Sequence, residues 1–157
     1  MDFKKLVLAV FVALALASGW LFWWIQPERQ LSRVQGRLLS MLEKRDFDSM
    51  GHLIAEDYGD RWRHDKAFVV RECRVVFGQF LTLTIERGEG SAAIEAGRGI
   101  VREKVTLRGF GGALAMFARD DVNALREPFT MTWHKRGWKP WDWELVSIEQ
   151  PELVLPR

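Results

Sequence analysis

The sequence predicts an α+β fold: an N-terminal transmembrane helix, then three helices packed on a curved antiparallel sheet of four strands. Three observations carry this. Residues Leu6 to Ile25 contain no charged side chain. From Glu28 to about Gln79, apolar residues recur every three or four positions. From Phe80 onward they alternate with polar ones, and the change of period from about 3.6 to 2 marks the switch from helices to strands. The chain divides into an anchor over residues 1–27 and one α+β domain over 28–157.

At a helical rise of about 1.5 Å per residue, the first run spans roughly 30 Å, the thickness of a bilayer's hydrocarbon core. It ends in Trp20, Trp23 and Trp24, placed where an interfacial aromatic belt stands, since each ring is apolar and its N–H seeks a polar partner. Two readings compete. Lys4 and Lys5, the run to Leu14, and Ala15-Leu16-Ala17 have the layout of a cleaved secretory signal. The apolar run continues past Ala17, however, and cleavage there would leave a very sticky new N-terminus. The favoured expectation is an uncleaved signal-anchor in the inner (cytoplasmic) membrane, single-pass, with the domain extracytoplasmic and periplasmic. The alternative is secretion after cleavage near Ala17. Lys4 and Lys5 favour an N-inside orientation, a bias that Arg29, Arg33 and Arg37 weaken.

Pro27 suits the first turn of a new helix or a kink after the anchor. Leu31, Val34, Leu38 and Leu42 then form one stripe, widened by Leu39 and Met41, while Arg29, Arg33 and Arg37 take another face. Asp46 is expected to cap a short helix carrying Phe47, Met50, Leu53 and Ile54. Glu56-Asp57-Tyr58-Gly59-Asp60 is turn chemistry. Asp65 is expected to cap a third helix running to about Gln79, with Val69, Cys73, Val76, Phe77 and Phe80 inward.

Leu81, Leu83 and Ile85 alternate with Thr82, Thr84 and Glu86, and Gly88-Glu89-Gly90-Ser91 is expected to turn the chain. A second strand should run from Ala92 to about Leu107, with Val101, Val105 and Leu107 on one side and a bulge or bend at Gly97 and Gly99. Residues 109–126 are expected to be a long loop with one or two helical turns. Phe129, Met131 and Trp133 define a third strand, Lys135-Arg136-Gly137 a turn, and Trp141, Trp143 and Leu145 a fourth strand that Pro140 places at an edge or strand start.

The chain carries 23 Lys and Arg against 21 Asp and Glu, and Lys4, Lys5 and Asp2 fall in the anchor. The remainder is nearly balanced, with both signs mixed, which excludes a dedicated nucleic-acid binder. A domain of this size buries a core without staples. Cys73, the single cysteine, makes no internal disulfide and is expected to be a buried small apolar residue.

Arg45-Asp46-Phe47-Asp48 with Leu53-Ile54-Ala55-Glu56-Asp57-Tyr58-Gly59-Asp60, the strand Phe129-Thr130-Met131-Thr132-Trp133-His134-Lys135, and the ending Trp141-Asp142-Trp143-Glu144-Leu145-Val146-Ser147-Ile148 carry a resemblance. Over about residues 30–149 the chain resembles the NTF2-like superfamily, cone-shaped α+β proteins also called SnoaL-like or cystatin-like. The resemblance implies a conical pocket between helices and sheet. Different members use it for isomerase or dehydratase chemistry, ligand binding or protein contacts, and fold does not choose among these.

Tyr58, Asp60 and His64, within the cluster Asp57, Tyr58, Asp60, Trp62, His64 and Asp65, are the catalytic candidates. In the resembling enzymes an Asp or His base works with a Tyr or acid donor in an apolar pocket, where the donor stabilises a developing oxyanion. The structural alternative makes Asp57 and Asp60 turn residues, Tyr58 a packed ring and His64 a helix-start residue. No isomerase or dehydratase motif is matched, so no catalytic residue is carried over. Trp62, Trp133 and Trp143 are the candidates for lining a ligand pocket, and Trp20, Trp23 and Trp24 for contacting membrane. Core packing equally explains Trp133 and Trp143, which alternation puts on one face of their strands. Trp138 is hard to bury; with Lys135, Arg136 and Lys139 it suits a partner protein or a membrane surface.

His52, His64 and His134 lack metal-ligand spacing, so no metal site is expected, and no cofactor. The Gly109-x-Gly-Gly stretch lacks the lysine and hydroxyl of a phosphate loop. The expected function is a membrane-anchored, non-catalytic ligand-binding or assembly module. Its partners would be a second copy in a homodimer, an envelope protein, or an apolar small molecule. The alternative is an isomerase or dehydratase acting through an acid–base pair in the cone.

Overall fold

The computed structural model describes residues 3–153, with side chains from Leu6 onward. The side chains of Lys4 and Lys5, the expected positive flank, and residues 1–2 and 154–157 lie outside what the structure describes. Helix α1 (Phe3–Ile25) is followed by α2 (Pro27–Lys44), α3 (Phe47–His52), α4 (Lys66–Phe77), strands β1 (Phe80–Glu95) and β2 (Arg98–Gly111), α5 (Ala113–Ala124), β3 (Phe129–Lys135) and β4 (Trp143–Glu149). The four strands form one antiparallel sheet in the order β1-β2-β3-β4.

Within α1, Leu6–Ile25 is long and apolar enough to cross a membrane, and none of it is buried against the rest of the chain. Gln26 adopts an extended conformation that breaks the helix, and Pro27 restarts it where its missing N–H costs nothing. Leu31, Val34, Leu38 and Leu39 of α2 are buried, as the stripe requires. Arg45 ends α2 in the left-handed region (φ 60°), and Asp46 caps α3 by accepting from the Ser49 N–H (3.1 Å). Those hydrogen bonds hold the Asp46 carboxyl below the ordinary carboxylate range. Asp65 caps α4 in the same way through the Phe68 N–H (2.8 Å).

Helix α2 packs across one face of the sheet from one end to the other. Its first turns pack Leu31 against Gly99, where a Cβ would stand 2.7 Å from Leu31 Cδ1 and 3.2 Å from Trp143. Leu39, two turns on, joins Phe80, Leu83, Ile85 and Leu107. Arg45 then donates to the Phe80 carbonyl. The larger core unites Leu31, Val34, Leu38, Met50, Ile54 and Tyr58 with Val101, Met131, Trp133, Trp143 and Leu145. Residues 53–59 run along β4: Leu145 N–H donates to the Leu53 carbonyl (2.8 Å), Ala55 to Leu145 (2.9 Å) and Gly59 to Val146 (3.0 Å). This covers an edge that would otherwise expose unpaired backbone groups.

Four expectations are corrected. The first hairpin turns at Ala96 and Gly97, both at positive φ (50° and 77°), as a two-residue primed turn requires. The glycines at 88 and 90 instead lie inside β1, at a register shift between Arg87 and Gly90, because a Cβ at Gly90 would meet Arg102 O at 2.9 Å. Residues 109–126 are not a loop with a turn or two of helix: Gly109 to Gly111 complete β2, and α5 is a 12-residue helix. Gly109 (φ 136°) is demanded by close strand approach, since a Cβ there would lie 2.0 Å from Thr82 O. Ala115 buries α5 on the sheet, and the Asn123 amide pairs with both the N–H and the carbonyl of Leu107 (2.8 Å each), continuing the sheet where β3 no longer reaches. Cys73 is half-buried as a residue, because α4 lies at the margin of the core, although its thiol is turned against that core and shielded. Trp141 sits in the β3–β4 turn and is exposed, β4 beginning only at Trp143.

Candidate functional site

Residues 58–65 form a compact bracket around one carboxylate. Asp60 has its side chain only 3% exposed. Its Oδ1 accepts the backbone N–H of Trp62 and of His64, both at 2.9 Å. Its Oδ2 accepts the Tyr58 hydroxyl (3.4 Å) and faces His64 Nδ1 (3.2 Å). Local sequence explains the geometry: a carboxylate two and four residues before the N–H groups it accepts closes a turn that the left-handed Arg63 (φ 68°) completes. His64 stacks on Phe68 (centroids 4.1 Å), and Trp62 on His64 (6.2 Å). Trp62 Nε1 donates to the Leu153 carbonyl (3.3 Å).

The structure therefore brings Tyr58, Asp60 and His64 together and buries all three. Desolvation first, then the Asp60 charge, raises the Tyr58 hydroxyl well above its ordinary value. Such a phenol stays neutral and can donate a proton or a hydrogen bond. Its hydrogen is directed at Asp60, however, and Asp60 spends both oxygens inside the bracket.

The tryptophans expected to line a ligand pocket are core residues. Trp133 is fully buried and Trp143 is 4% exposed, with Leu31, Met50, Ile54 and Leu145 around them. Trp143 Nε1 donates to the Pro140 carbonyl (3.0 Å), whereas Trp133 Nε1 has no hydrogen-bond partner among the described residues. Open depressions lie elsewhere. A groove of about 930 Å³ runs between α3 and α4 over Phe47, Gly51 and Val70. It is flanked by the ion pairs Lys66–Glu56 (2.6 Å) and Arg74–Asp48 (2.8 Å). A recess of about 320 Å³ at the β1 bulge is lined by Ser32, Arg87, Gly90 and Glu103. Neither is lined by Tyr58, Asp60 or His64.

The recess contains polar residues that sequence reasoning passed over. Glu103 is 4% exposed; its Oε1 pairs with Arg87 Nε (2.5 Å), while its Oε2 has no partner among the described residues. Arg87 also donates to the Ser32 carbonyl (3.3 Å) on α2. Gln35, fully buried on α2, likewise leaves both amide atoms unpartnered among the described residues. The sequence did carry a sign of each: Glu103 shares the inward alternation of Val101 and Val105, and Gln35 interrupts the stripe between Leu31 and Leu38. No group of His, Cys, Asp or Glu among the described residues is arranged to hold a metal ion.

No family model matches the chain, and no curated protein matches it. Solved structures do. An NTF2-like protein of unknown function from Pseudomonas putida superposes with a TM-score of 0.56 at 10% identity, over 77% of this chain and 82% of that one. The fold is NTF2-like. A candidate scytalone dehydratase from Novosphingobium aromaticivorans gives 0.56 at 11% identity, over 77% of this chain and 80% of that one. Bd1075 from Bdellovibrio bacteriovorus gives 0.58 at 10% identity, over 77% of this chain but only 38% of that longer one. At such identities the NTF2-like likeness extends to the fold and no further.

Proposed function

We propose that this chain is a membrane-anchored, extracytoplasmic assembly module without chemistry of its own, which binds a protein partner through its surface rather than through the cone. One observation carries the reading: apolar area is exposed at the end of the domain away from the anchor, while Trp133 and Trp143 are packed into the core. Leu81 (70% exposed), Phe110 (55%) and Phe117 (66%) stand there, Leu81 at the bulge where β1 meets Phe110 of β2, and Phe117 on the adjoining α5. Large exposed rings of this kind are costly to leave in water and mark contact surfaces. The partner is a second copy of this chain or another envelope protein.

The test is the assembly state of the full chain in lipid nanodiscs, by mass determination and by cross-linking in intact membranes. The reading expects a complex that Phe110→Ser with Phe117→Ser dissolves without loss of fold. A monomer with no cross-linked partner would refute it. The second reading, an isomerase or dehydratase, draws on the neutral Tyr58 beside Asp60 and His64. It requires turnover of a small enone or hydroxyketone that Asp60→Asn abolishes while the fold stays intact.

A further inference from the structure

We propose that the β3–β4 hairpin tip is a second membrane contact: Trp138 and Trp141 seat in the lipid headgroup layer beside the anchor, with Lys135, Arg136 and Lys139 facing anionic phosphates. This rests on the anchored reading above.

Placement decides it. The first turns of α2 are pinned to the end of α1: Gln30 Nε2 and Arg33 Nη1 both donate to the Trp24 carbonyl (2.6 and 3.3 Å). The Arg29 guanidinium lies 3.8 Å over the Trp23 ring, and that of Arg33 lies 4.4 Å over Trp24. Leu31, the fifth residue of α2, stands roughly 6 Å along the helix axis from Pro27. It touches Gly99, which pairs with Trp133 and lies against Trp143. The strands therefore meet α2 at the anchor's level. Strand β3 runs from Phe129, opposite Glu103, to Trp133, opposite Gly99, so it heads toward the anchor. The tip beyond Lys135 carries Trp138, 86% exposed, and Trp141, 52% exposed.

Two water-exposed indoles beside three cations match the chemistry of a headgroup layer, which accepts an amphipathic ring and attracts positive charge. Arg136 pairs with Glu144 (3.2 Å), but Trp138 and Trp141 have no ring contact among those formed by the described residues. The opposite end of the sheet exposes Leu81, Phe110 and Phe117 but no indole, and its arginines, Arg45, Arg108 and Arg119, are engaged by the Phe80 carbonyl, Glu86 and Asp120.

The test uses the full chain with Cys73→Ser, carrying Lys139→Cys or, as the distal control, Asp120→Cys, each labelled with an environment-sensitive nitrobenzoxadiazole. The protein is reconstituted in phosphatidylcholine–phosphatidylglycerol vesicles containing a lipid with a nitroxide on its headgroup. The label at 139 is expected to emit to the blue and be quenched, and that at 120 to report water. Trp138→Ser with Trp141→Ser should reduce quenching at 139 at least about two-fold while the protein still floats with the vesicles. A floating protein whose label at 139 reports water overturns the hairpin contact alone, as a tip reserved for a partner protein would. Quenching unchanged in the double variant overturns it too. A chain that fails to float overturns the anchored reading, and the hairpin contact with it.

Discussion

Replacing Asp60 separates a structural carboxylate from a chemical one. Asp60→Ala removes four hydrogen bonds at a site shielded from water. The two at Oδ1, from the Trp62 and His64 backbone N–H groups, are short (2.9 Å) and strand buried donors when lost. At about 1.5 kcal/mol each they account for about 3 kcal/mol. The longer contacts to Tyr58 (3.4 Å) and His64 Nδ1 (3.2 Å) add less, and about 4 kcal/mol is expected in all. For a domain of this size that lowers Tm by roughly 12–16 °C. Asp60→Asn keeps an oxygen for both N–H groups and should cost only about 1 kcal/mol. The assay is urea unfolding of the detergent-solubilised chain, followed by tryptophan fluorescence. A loss below about 1 kcal/mol for Asp60→Ala would refute the bracket as the element that holds residues 58–65. Equal losses in the two variants would show that charge, not geometry, is what the site needs.

Trp133→Ala should cost about 3–5 kcal/mol by opening a cavity under α2, and Trp133→Phe distinctly less, both read from denaturant midpoints. Gly99→Ala should destabilise by about 1–3 kcal/mol, because the new methyl meets Leu31 and Trp143, and pairing it with Leu31→Ala should recover part of the loss. Cys73, whose thiol burial and the Glu72 charge push up to about 12, should resist alkylation at pH 8 until urea is added. The folded-state values of Cys73 and Tyr58 both lie above their unfolded ones, so their contribution is complete below about pH 9 and is lost as pH rises from there. Cys73→Ala and Tyr58→Phe should each flatten that alkaline decline in a pH series of unfolding midpoints.

Most of the secondary structure was legible because it rests on short-range physics. Asp46 and Asp65 announce helix starts by capping chemistry, the α2 stripe declares its buried face, and Phe129 to Trp133 alternate with the pleat. The errors fall where glycine has two meanings. Gly88 and Gly90 have the look of a turn but allow Lys104, and Arg102 with Glu103, of the neighbouring strand to come close; Gly109 looks like a loop but sits where Thr82 O leaves no room for a Cβ. The true turn, Ala96-Gly97, lacks the asparagine that usually marks one.

For the candidate site, the sequence by itself determined the membrane-length apolar segment, the α+β order and the grouping of Tyr58, Asp60 and His64, because each depends on residues near one another in the chain. Only tertiary structure decided that Asp60 turns inward onto neighbouring N–H groups, that Trp133 and Trp143 are buried in the core, and that Glu103 meets Arg87 across the bulge. It also decided that the hairpin tip lies at the α1 end of the sheet, through the contact of Leu31 with Gly99. These are facts of packing between distant segments, and side-chain pattern records which face is buried but not what it is buried against.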